Sequence, residues 1–216
     1  MKPACLMLAS MLALSLAACA SKPQPPSWQP NARGALDGYT DAWLKGDTPA
    51  ADAEFARARR ETASTGSFER VAQAELVRCA VQVAALEPDC PGFAAIAAQA
   101  TPAQRAYAAY LDGRWQGLDA ALLPGQHRPV IASGTLAGVA DPLSRLVAAG
   151  ALLRAGRITP GDIGVAVDTA SEQGWRRPLL AWLGVQEKRA QAAGDAAAVE
   201  RIRKRILLVS EGTYPD

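Results

Sequence analysis

Two of the four cysteines, the single histidine and a set of arginines are residues whose types and spacing bear on chemistry. Cys79 falls on a helical stretch ending near Leu86, about 10 Å below that end. The turn Glu87-Pro88-Asp89-Cys90-Pro91 can reverse the chain, and four extended residues reach about 13 Å. The pair can therefore meet, and three readings stay open: a structural disulfide, two free core thiols, or a redox or metal site. The spacing is not C-x-x-C, which argues against the redox reading. His127 is the only histidine. It lies in Leu123-Pro124-Gly125-Gln126-His127-Arg128-Pro129, which reads as an exposed loop. The sequence holds no H-E-x-x-H, no G-x-S-x-G and no phosphate-cradling glycine loop. No catalytic residue, metal site or cofactor is assigned, and the chain is read as a non-enzyme.

Charged residues are informative in two places. Trp175-Arg176-Arg177 stands before a proline between two helices. An aromatic beside arginines suits a binding surface, and it equally suits the plugging of a helix junction. Lys188, Arg189, Arg201, Arg203, Lys204 and Arg205 outnumber the acids around them. They form a candidate basic face for anionic lipid or an acidic partner, or simply a solvated helix face. Asp47, Asp162 and Asp195 sit at helix starts, where a carboxylate satisfies free backbone N–H groups.

These residues must be carried by helices. Half of the chain is hydrophobic and 20% is charged, a globular composition. Alanine dominates the apolar set, which favours helix over strand. A net charge of +2 is too small to imply nucleic acid as a partner. Thr48-Pro49, Thr101-Pro102, Asp141-Pro142 and Thr159-Pro160 each place a capping residue before a helix-opening proline. Gly46, Gly113, Gly156, Gly174 and Gly194 read as helix stops. Between these marks, apolar residues recur at helical spacing, and no stretch sustains period-two alternation.

One helix is expected to be packed on both sides. At about 100° per residue, Phe68, Ala72, Leu76, Cys79, Val83 and Leu86 fall within a sector of roughly 80°. Val77, Val81 and Ala84 form a second stripe nearly opposite. Stacked helical hairpins produce that condition.

The first residues read as an export signal. Lys2 supplies a positive start, and Leu6 to Ala18 is apolar apart from Ser10 and Ser15, too short to span a bilayer comfortably. The run closes in Leu16-Ala17-Ala18-Cys19, which resembles the lipobox of bacterial lipoproteins. The resemblance covers about the first 21 residues. It implies removal of residues 1–18, a diacylglyceryl thioether on Cys19 and an acylated amino terminus. Two or more acyl chains hold a protein stably on a membrane. Ala20, by the same resemblance, points to the outer membrane, with the domain facing the periplasm. An oxidising envelope favours the disulfide reading of Cys79 and Cys90. Residues 19–32, rich in proline, are expected to be an extended tether.

The segment from Trp43 to Ala58 is similar to half of a tetratricopeptide repeat. Gly46 stands at the turn, and Ala51, Phe55 and Ala58 match A-x3-F-x2-A. The Trp and Leu-Gly signature of the first helix is missing, and no strict 34-residue period recurs. The expectation is an all-α fold over residues 33–210, an irregular array of antiparallel helical hairpins that is either tetratricopeptide-like or a compact bundle, with a tail at 211–216. The functional expectation is a membrane-tethered lipoprotein that binds or helps assemble an envelope protein. The alternative is an accessory or regulatory factor for cell-wall enzymes.

Overall fold

The computed structural model describes residues 25–211. The expected signal peptide, Cys19 and residues 212–216 lie outside them. Among the described residues the fold is all-helical, with ten α-helices joined by turns and short 3-10 segments and no strand. The helices are α1 (Trp28–Lys45), α2 (Thr48–Ala63), α3 (Phe68–Ala84), α4 (Pro91–Ile96), α5 (Pro102–Leu111), α6 (Arg128–Ser133), α7 (Pro142–Arg154), α8 (Pro160–Glu172), α9 (Arg176–Ala192) and α10 (Ala196–Glu211). No described helix is long and apolar enough to cross a membrane.

The four proline-marked starts are real, with one shift. Thr101 and Thr159 cap α5 and α8 in reciprocal capping boxes with Gln104 and Asp162, and Asp141 accepts the Ser144 N–H at 2.7 Å. For α2 the cap is Asp47, not Thr48. Its carboxylate takes the Ala50 N–H at 3.1 Å, leaving Thr48 and Pro49 inside the first turn. Carboxylates suit that position because the N–H groups there lack intrahelical partners.

The extended segment expected over residues 19–32 runs into the domain at its far end. Helix α1 begins at Trp28 and carries Pro30 in its first turn, where a missing N–H removes no helical hydrogen bond. Trp28 lies under the Arg70 guanidinium at 4.5 Å and so belongs to the domain. At the other end, α10 runs to Glu211, one residue past the expected limit.

Helix α3 is the axis of the molecule and is packed on both sides. Leu76, Cys79 and Val83 enter a large cluster with α7, α8 and α9. Val81 enters a smaller one with Tyr39, Trp43, Ala51 and Phe55 of the α1–α2 hairpin. Phe68 departs from the expected stripe: it is 57% exposed. Helices α3 and α7 cross closely. A Cβ on Gly150 would stand 2.3 Å from the Val83 carbonyl oxygen, so the two backbones touch there. On the far side, Trp182 of α9 is fully buried and its Nε1 donates to the Ala84 carbonyl at 3.1 Å.

Cys79 and Cys90 form a disulfide, with their Cα atoms 5.4 Å apart. Cys79 is buried on the α3 stripe, and Cys90 stands just before α4. The bond therefore clamps α4 to the centre of α3.

Candidate functional site

Helix α3 does not end on glycine. The Leu86 N–H reaches the Val83 carbonyl and the Glu87 N–H reaches the Gln82 carbonyl, and Leu86 takes a φ of 59°. This is the left-handed closure that glycine usually supplies, and it brings Glu87 back toward α9. The turn from α1 to α2 at Gly46 lies nearby, with φ 93°. Both turns wall a groove of about 630 Å³. Its floor is one side of α9: Leu180, Ala181, Gly184 and Val185, all half-buried. Arg176 and Arg177 stand at one end and Lys188 at the other, about 18 Å apart along the helix.

The Trp175-Arg176-Arg177 segment is brought to this groove, but it works mainly within the protein. Trp175 precedes α9 and packs against both hydrophobic clusters. Arg176 donates to the Ser210 carbonyl at 2.8 Å, tying the start of α9 to the end of α10. Arg177 lies over the Trp43 ring at 3.9 Å, pairs with Glu87 at 3.2 Å and donates to the Thr48 hydroxyl. The junction reading thus describes Trp175 and Arg177. Arg176 remains exposed beside the groove.

Sequence reasoning missed the groove floor. The first apolar stripe of this helix is its core side, where Leu179, Trp182 and Leu183 are buried. The signal for the second side was present, because Leu180, Ala181, Gly184 and Val185 are also apolar and out of phase with the first stripe.

Comparison of the chain with protein-family models, with curated proteins and with solved structures finds no match. The site is therefore read on its geometry.

His127 is a correction. It is not an exposed loop residue but 1% exposed, set in a short 3-10 turn before α6. Its ring lies 5.6 Å from Tyr107 and 5.0 Å from Tyr110, and Nδ1 is hydrogen-bonded to the Tyr110 hydroxyl at 3.3 Å. Trp115 stacks on Tyr110 in turn. Burial lowers the imidazole pKa to about 4 and raises the hydroxyls of Tyr107 and Tyr110 above the usual phenol value, since a low-dielectric site disfavours each charged form. A neutral imidazole closed in by aromatic rings is a packing group. No cluster of three or more His, Cys, Asp or Glu placed to hold a metal ion occurs among the described residues.

The six basic residues of the last two helices do not act alike. Arg203 pairs with Glu187 at 2.7 Å, and Lys204 stands 3.8 Å from Glu200. Arg189 and Arg201 line a separate notch between α8, α9 and α10. Arg205 is exposed on α10, and Lys188 faces the groove. Helix α10 has no buried residue at all. Ile202, Ile206 and Val209 are only partly covered where they meet the core.

Proposed function

We propose that this chain is an envelope lipoprotein, tethered through lipid on Cys19, whose helical domain binds another protein in the α9 groove and has no catalytic role. The groove is the observation that carries the reading. It offers half-exposed apolar side chains between cationic ends, and Gly184 leaves room for a partner backbone to approach closely. Interfaces are built from an apolar centre inside a polar rim. A lipid anchor would add effective concentration at the membrane, which lets a modest groove hold its partner.

The test is site-specific photo-crosslinking in intact cells, with the probe at Val185 in the groove or at Arg60 on the exposed side of α2. The expected result is one discrete adduct from Val185 and none from Arg60. Gly184→Arg should abolish the adduct without unfolding the protein, because nothing lies within 4 Å of a Cβ there. Equal labelling from both positions, or an adduct indifferent to Gly184→Arg, would rule the groove out.

A further inference from the structure

On another side of the molecule lies a notch of about 300 Å³, where α9 and α10 meet the start of α8. Ile163, Ile202 and Pro160 give it apolar walls, and Gln186, Arg189 and Arg201 supply its polar atoms. Four carboxylates on these helices have partners of their own. Glu187 holds Arg203 and Glu200 faces Lys204. Asp195 caps α10 through the Ala198 N–H. Asp162 takes the Thr159 hydroxyl and N–H and the Leu136 N–H. Arg189 and Arg201 therefore line one cavity with no ion-pair partner among the described residues.

Two guanidinium groups without counter-charge, set over an apolar floor, match an anion that carries an apolar neighbour. Guanidinium forks bind phosphate oxygens in pairs. The surroundings narrow the choice further. Arg201, Lys204, Arg205 and Leu208 fall within an arc of roughly 100° on α10, and Leu208 is 37% exposed. A helix that presents cations and an exposed leucine on one side, beside such a notch, is suited to lie on anionic lipid.

We propose that the Arg189–Arg201 notch binds the phosphate of an anionic phospholipid, with the first carbons of the lipid against Ile163 and Ile202. This sets α10 against the membrane surface, independently of any partner in the α9 groove.

The experiment uses the chain from Ala20 onward, without lipid on Cys19. All ten helices and both hydrophobic clusters lie within residues 28–211, so this form keeps the domain. Co-sedimentation is measured with phosphatidylcholine vesicles, with and without phosphatidylglycerol. Binding should require phosphatidylglycerol. Arg189→Gln with Arg201→Gln should reduce binding to the level of phosphatidylcholine alone, whereas the charge-matched pair Lys204→Gln with Arg205→Gln should weaken it by about thirtyfold, as two surface charges do, and leave binding that still depends on phosphatidylglycerol. Both pairs are exposed, and unchanged circular dichroism verifies the fold. Equal losses from the two pairs would mean diffuse attraction to the surface and overturn the notch. Absence of binding to phosphatidylglycerol vesicles overturns it as well. Inorganic phosphate that binds the free protein through the same arginines and displaces it from vesicles would make soluble phosphate the ligand and refute the lipid assignment.

Discussion

Arg177 lies 3.9 Å above the indole of Trp43, and this stack joins the first helix of the domain to the ninth. The same guanidinium pairs with Glu87, beyond the end of α3, and with Thr48 at the start of α2. One side chain thus holds four elements together at one end of the groove. A planar cation over an aromatic face is favourable, and more so when shielded from water. Only 14% of the Arg177 side chain is exposed.

Arg177→Ala should lower the melting temperature. A loss of about 2 kcal/mol is expected from the combined stack and charge-assisted hydrogen bonds, and about 1 kcal/mol shifts a domain of this size by roughly 2–4 °C. Arg177→Lys should recover only part of it, because an ammonium keeps the charge and loses the planar stack. Thermal melts of the three proteins check this. Full recovery by lysine would show that the stack contributes nothing.

Gly150→Ala and Gly164→Ala should have opposite signs. At Gly150 the new methyl meets the Val83 carbonyl, while at Gly164 nothing lies within 4 Å. The first should destabilise by about 1–3 kcal/mol or more through overpacking. The second should stabilise by roughly 0.5–1 kcal/mol through helix propensity. Urea midpoints for both variants decide the matter.

Removing the disulfide with Cys79→Ala and Cys90→Ala should lower the melting temperature by several degrees. The bond closes a loop with a sequence separation of 11, for which chain-entropy loss gives about 2–3 kcal/mol. A reducing agent should move the native protein to the same midpoint and leave the double variant unchanged. An unaltered midpoint in both comparisons would contradict a stabilising bond.

Acid should weaken the fold through His127. Its folded pKa, about 4, lies below the ordinary 6.5, so the unfolded chain takes up a proton first. The stability contributed by keeping it neutral is complete above pH 6.5 and is lost progressively as pH falls toward 4. At about 1.36 kcal/mol per unit, the whole window is of order 3 kcal/mol. His127→Phe should flatten this part of the stability–pH curve, measured by denaturant titration at each pH. A slope that survives the substitution would assign the effect to other groups.

Cys19→Ser should leave the protein uncut or turn its membrane association from stable to salt-extractable, because only the electrostatic contact of α10 remains. Fractionation with mass spectrometry of the amino terminus reads the result. A mature, unlipidated terminus at another residue would defeat the tether proposal.

Much of the helical order was legible because its causes are local. A Thr101 hydroxyl and a Gln104 amide are three residues apart, so the sequence alone specifies their reciprocal cap. The two stripes of α3 follow in the same way from the angular step per residue, and the helix is packed on both sides, although Ala84 of the second stripe joins the cluster of the first. The disulfide was legible because the reach of the Glu87–Pro91 turn can be measured along the chain. The tether limit failed for a local reason that was overlooked: proline in the first turn of a helix removes no bond, so Pro30 did not stop α1.

What the sequence could not determine depends on which distant elements meet. His127 looks like a loop residue because its neighbours are Pro, Gly and Gln. It is buried because Tyr107 and Tyr110, on a helix ending 16 residues earlier, turn their rings toward it. Phe68 has the right phase for the core and is exposed. Arg177 reads as a surface cation until Trp43 is placed beneath it. The apolar side of α9 becomes a groove only when the turns at Gly46 and Leu86 rise beside it. Hydrogen bonds between near neighbours are encoded in spacing. Burial and charge pairing arise from contacts between residues tens to more than a hundred positions apart, and those only the packing of the whole chain decides.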